Sequence, residues 1–131
     1  MYKVYGTVSS NIESVEVFVD RIVENLYEYL PNEMIFNIRL VLNELLLNSA
    51  SHGNQYSKDK KVKLYISIDN ETIKLRVEDE GAGTLSICSN KEVCNLGGRG
   101  LKIVEALTDK VARLDHGIKC TIFSSFLDHR S

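Results

Sequence analysis

Residues 62–79 alternate apolar and polar side chains twice over, and this constrains the fold more than any other feature of the chain. In "VKLYISI", Val62, Leu64, Ile66 and Ile68 oppose Lys63, Tyr65 and Ser67. "DNE" turns the chain, and in "TIKLRVED" Ile73, Leu75, Val77 and Asp79 oppose Lys74, Arg76 and Glu78. A period of two along both arms predicts a hairpin with one dry face and one wet face. A dry face must be covered by something apolar, and the rest of the chain supplies helices for that. Asp79 is the exception, an acid on the inward-looking side.

Upstream, "MYKVYGTV" alternates in the same way and reads as a first strand. Ser10, followed three residues later by Glu13, reads as a capping box. Ile12, Val15, Val19, Ile22, Leu26 and Leu30 then recur at helical spacing until Pro31. Asn32 reads as the cap of a second helix that runs through "VLNELLLNSASHGN" and ends near Gly53. "NQYSKDKK" reads as a polar loop, and its "YSKDKK" part as solvated. Downstream of the hairpin come a glycine-bearing loop over 80–98, a short helix over "RGLKIVEALT" with Leu101, Val104 and Leu107 on one side, and a closing hairpin around "DHG". The order β-α-α-β-β-loop-α-β-β predicts a two-layer α/β sandwich, with a mixed but mostly antiparallel sheet covered on one face by three helices. Residues 1–131 are expected to form a single domain.

Composition narrows the function classes. The chain is 44% hydrophobic and 26% charged with a net charge of -2, so a broad basic surface for nucleic acid is not expected. No apolar run reaches membrane-spanning length and no signal-peptide pattern opens the chain, so a cytoplasmic protein without membrane association is expected. Cys88, Cys94 and Cys120 form no C-x-x-C clip and read as reduced thiols.

Three constellations carry chemistry. Glu44 and Asn48 are i, i+4 neighbours on one face of an otherwise apolar helix, where an acid and an amide cost free energy unless something pairs with them. Asp79-x-Gly81-x-Gly83 follows a strand, and Gly97-Gly98-Arg99-Gly100 opens a helix. A glycine-rich lead into a helix offers free N–H groups and the positive end of the dipole, which suits phosphate. No Gly-Lys-Ser/Thr follows, so it is not a Walker A loop, and the glycine spacing is not that of a dinucleotide fingerprint. An amide oxygen suits Mg²⁺, and a carboxylate one turn away suits activation of a hydroxyl or a water.

In this order the motifs resemble the boxes of the Bergerat-fold ATPases: "NELLLNSASHG" the N box, "VEDEGAGT" the G1 box and "GGRGLKIV" the G2 box. All boxes in one short domain most resemble the anti-sigma-factor serine/threonine kinases of bacterial partner switching. The resemblance implies ATP and Mg²⁺ as cofactors, Glu44 as catalytic base and Asn48 as metal ligand. It implies Asp79 as acceptor for the adenine amino group, Gly81 and Gly83 as the adenine-side turn, Gly98, Arg99, Gly100 and Leu101 as the phosphate-side segment, and 84–96 as a short lid. The implied partners are a small antagonist (anti-anti-sigma) protein, a sigma factor or other effector, and a second copy in a homodimer. A non-catalytic nucleotide-binding switch and a detached histidine-kinase catalytic domain are the alternatives. His52, His116 and His129 do not fall on a dimerisation helix, which disfavours the latter. Two departures stand out. Lys119-Cys120-Thr121 occupies the place of the family's Gly-Thr-Thr, so either Cys120 or Thr121 takes the first Thr's place. "SVEVFV" at the start of the first helix lacks the Arg by which relatives dock partners.

Overall fold

The alternating segments pair as their period requires. The computed structural model describes residues 2–57, 59–81 and 99–123. Five strands, β1 (Tyr2–Ser9), β2 (Lys61–Ile68), β3 (Thr72–Glu78), β4 (Lys110–Leu114) and β5 (Gly117–Phe123), form one sheet in the order β1-β2-β3-β5-β4. Every strand pairing among the described residues is antiparallel, with Leu64 opposite Val77 and Glu78 opposite Gly117. Three helices, α1 (Ile12–Leu26), α2 (Asn32–Asn48) and α3 (Arg99–Leu107), form the second layer, with α2 packed between the other two. The result is the expected α/β sandwich.

The core lies between the layers. Leu64, Ile73, Leu75 and Val77 from the sheet and Ile38, Val41, Leu42 and Leu46 from α2 are all fully buried. Each such side chain is worth roughly 1.5–3 kcal/mol in transfer free energy, so α2 is held by packing rather than by its ends. Among the described residues no helix is long and apolar enough to cross a membrane.

Three local expectations need correction. Ser10 does not cap α1. Asn11 does, its side chain accepting the Ser14 N–H at 2.8 Å, while the Ser10 hydroxyl donates to the Lys60 carbonyl at 2.7 Å. Asn32 is already inside α2. Pro31 is the N-cap, and its carbonyl accepts from Met34 and Ile35 at 3.0 and 3.1 Å. Proline suits that position because its fixed φ and missing N–H cost nothing before the first turn. Ile12 is 49% exposed and stands outside the core, which α1 joins at Val15. The polar loop "NQYSKDKK" begins on a completely buried side chain, that of Asn54.

Candidate functional site

Past Asn48 the helix does not simply stop. Ser49–Gly53 widens into a π turn, a conformation frequent at functional sites. The Ser51 hydroxyl donates to the Leu47 carbonyl at 2.8 Å. The Asn54 and Tyr56 N–H groups donate to the carbonyls of Ser49 and Ala50 at 2.9 and 2.7 Å, which closes the turn. Gln55 and Tyr56 follow at φ 52° and 56°, in the left-handed region that reverses the chain.

Just before this turn, α2 presents a half-buried stripe. Leu40, Asn43, Glu44, Leu47 and Asn48 recur at three- and four-residue spacing between the buried core side and the exposed side. Glu44 and Asn48 therefore share a face as expected, but the sequence overstated their burial, since both are half-exposed to whatever lies over the stripe. Among the described residues neither side chain has a hydrogen-bond or ion-pair partner.

Asp79 lies immediately beyond β3 and is also half-buried. All three amides of the turn that carries it are held. The Asp79 N–H donates to the His116 carbonyl at 2.7 Å, the Glu80 N–H to the Asn54 side-chain oxygen at 2.7 Å, and the Gly81 N–H to Asp79 Oδ1 at 2.9 Å. Burial pushes the Asp79 carboxyl above the usual carboxylate range, against the opposing pull of the Gly81 amide, His116 and Lys60. A carboxylate so desolvated, with one bond accepted from the described residues for four lone-pair sites, has spare capacity for a donor.

Asn54 joins these parts. Its amide nitrogen donates to Ser10 Oγ at 2.8 Å and to the Lys61 carbonyl at 2.9 Å, while its oxygen holds Glu80 and its own N–H reaches back to Ser49. One buried side chain thus ties the C-terminal end of α2, the start of β2 and the Asp79 turn together. Asn54→Ala leaves the Glu80 N–H without its acceptor and the Lys61 carbonyl without a donor. Buried groups left unsatisfied cost about 1–3 kcal/mol each, so a loss of about 2 kcal/mol is expected for a partly solvated pair. Urea denaturation checks this, and a loss indistinguishable from that of Ser10→Ala would show that the bond to Glu80 is not the important one.

A second residue overlooked in the sequence is Gly117. A Cβ there would lie 1.8 Å from the Val77 carbonyl oxygen, so only glycine lets β5 approach the end of β3 beside Asp79. Neither Asn54 nor Gly117 has a periodic signal. One reads as a loop amide, the other as part of an ordinary turn.

The remaining candidates divide. Gly81 is in the Asp79 turn. Arg99, Gly100 and Leu101 form the first turn of α3, which packs against α2, and their side chains lie outside the described set. Gly83, Gly98, the expected lid over 84–96, Cys88 and Cys94 fall outside the described residues. Cys120 is buried in β5, where burial pushes its thiol up to about 12, so it is an inert core residue. Thr121 stands on the opposite face of that strand, half-exposed.

The family described as histidine kinase-like ATPase domain matches residues 8–124, a span that takes in every element from the end of β1 through β5. No curated protein matches the chain.

Proposed function

This chain belongs to the histidine kinase-like ATPase domain family, and from that premise we propose that it binds ATP between α2, α3 and the end of β3 and transfers the γ-phosphoryl group to a serine or threonine of a small antagonist protein. The observation that carries the reading is the Asp79 carboxylate. It is half-desolvated and accepts the Gly81 N–H, in a turn whose other two N–H groups are held by His116 and Asn54, and among the described residues it has acceptor capacity left over. A carboxylate in that state pairs with the amino group of adenine and repels the carbonyl oxygen that guanine carries instead.

The other residues fit the same ligand. Asn48 offers a carboxamide oxygen, unpartnered among the described residues, one turn from Glu44, and hard oxygen donors of this kind suit Mg²⁺, with nucleotide phosphates and waters filling the remaining positions. Bound MgATP would supply the phosphoryl group and neutralise part of its charge. Gly98, Arg99, Gly100 and Leu101 would hold the phosphates at the start of α3, where backbone N–H groups lack intrahelical partners. Glu44 would orient the acceptor hydroxyl and take its proton as the oxygen attacks. Positioning and electrostatics, rather than covalent chemistry, would supply the rate.

In this reading the protein works in partner switching as an anti-sigma factor. It holds a sigma factor or another effector and is displaced by the antagonist that it phosphorylates, and a homodimer in the cytoplasm would suit that role. The support is the resemblance of the three motifs and the size of the domain. Co-purification from the native host, with mass spectrometry for a small phosphorylated partner and a sigma factor, tests this part.

The nucleotide assignment has its own test. MgATP and MgADP should raise the melting temperature, and GTP should do little. Asp79→Asn should lose most of the ATP shift, because the amide exchanges an acceptor for a donor. Equal stabilisation of the wild type by GTP would remove the adenine role from Asp79.

A further inference from the structure

The helices cover one face of the sheet, and the exposed and half-exposed side chains of the strands stand on the other. That second face carries Lys3, Lys63, Lys74, Arg76 and Lys119. Among the described residues the strand positions of this face hold one carboxylate, Glu78, and it is engaged already. Its Oε2 lies 3.2 Å from Arg76 Nε, and Lys63 is its cross-strand neighbour. The whole chain has a net charge of -2, so the excess of cations over carboxylates on this face is local. On the helix layer α1 shows the opposite sign, with Glu13, Glu16, Asp20 and Glu24 exposed.

The placement runs against sheet stability. Arg76 and Lys119 are direct cross-strand partners, and like charges so placed destabilise a sheet. Between the cations lies an aromatic shelf. The rings of Tyr5, 55% exposed, and Tyr65 have centroids 4.7 Å apart, and the Arg76 guanidinium lies 4.1 Å over Tyr65. Lys3, Tyr5, Tyr65, Lys74, Arg76 and Lys119 line one open groove.

We infer that this groove is a docking surface for an acidic, extended polypeptide segment of a protein partner. Carboxylates would relieve the Arg76–Lys119 repulsion, and the guanidinium offers them a fork of donors. The tyrosines offer hydroxyls and apolar ring area at little entropic cost. A nucleic-acid strand fits less well. Arg76 already covers Tyr65, and Tyr5 is tilted at 41° to it, so the two rings do not form parallel platforms for successive bases. The net negative charge of the molecule also opposes a long polyanion. The inference is independent of the nucleotide site, which lies on the helix side of the sheet.

Fluorescence anisotropy decides it, with a labelled peptide of alternating Glu and Ser beside a labelled oligothymidylate of equal length. The wild type should bind the peptide more tightly than the oligonucleotide, and less tightly as salt rises. Lys74→Glu combined with Lys119→Glu should weaken peptide binding by roughly tenfold or more, since like charges now face each other across the interface. The double variant should keep its fold, because Lys119→Glu places a carboxylate opposite Arg76, and a cooperative melting transition will confirm that. No peptide binding by the wild type, peptide binding untouched by the double reversal, or tighter binding of the oligonucleotide would each overturn the inference.

Discussion

Glu44→Ala is expected to bind MgATP with near-normal affinity and to phosphorylate the antagonist at least roughly a hundredfold more slowly, the low end of what a positioned general base contributes. The reason is where Glu44 stands. It is half-buried on the α2 stripe, one turn from Asn48, and lacks a partner among the described residues. Truncation therefore breaks no bond to a described residue, and the stability of the fold should change little. What disappears is a carboxylate that, on the proposed function, acts only when a hydroxyl approaches. In the cell such a variant should act as a permanent inhibitor, able to hold its effector but unable to discharge the antagonist. Single-turnover transfer of labelled phosphate from saturating ATP to the purified antagonist measures the effect. Transfer at the wild-type rate would exclude Glu44 as the base. A wild type that transfers nothing would favour a non-catalytic nucleotide switch.

Gly117→Ala should be the most damaging of the small substitutions to stability. Its added methyl would meet the Val77 carbonyl oxygen at 1.8 Å and the Glu78 Cα at 2.9 Å, both backbone atoms that cannot rotate away. Relief requires β5 to separate from β3 at the Glu78–Gly117 pair, next to the bond between the Asp79 N–H and the His116 carbonyl. Overpacking of this kind typically costs about 1–3 kcal/mol and sometimes more, so a loss near 3 kcal/mol is expected, with weaker nucleotide binding because the Asp79 turn shifts. Equilibrium unfolding in urea gives the first quantity and calorimetry the second. A loss within about 0.5 kcal/mol of the wild type, the scale of an ordinary surface change, would mean that the strand ends yield more easily than the geometry implies.

Both variants show which parts of this protein were open to a reading of its residues. Alternation over Val62–Val77 and the helical spacing of Val15, Val19, Ile22 and Leu26 report local geometry directly. A side chain's face is determined by its position in the element, and apolar faces must be buried. Hence the order of elements and the two layers were legible, as were the shared face of Glu44 and Asn48 and the inward lean of Asp79. Ends were less so. Ser10 and Asn32 look like caps, but Asn11 and Pro31 cap the helices, because adjacent residues compete for one position and the route of the chain decides between them.

The amino-acid order alone established an α/β sandwich with an acid and an amide on its central helix and an acid at a strand end. Three things were decided only when distant segments met. Asn54 became a buried junction because Ser10, Lys61 and Glu80, as many as 44 residues away in the chain, converge on it. Gly117 became irreplaceable because β3 closes upon it. The lysines of four neighbouring strands became one cationic face because the register aligned them. Hydrogen bonds, close approaches and surface potential depend on separations between atoms of different segments, and local periodicity carries no information about those separations.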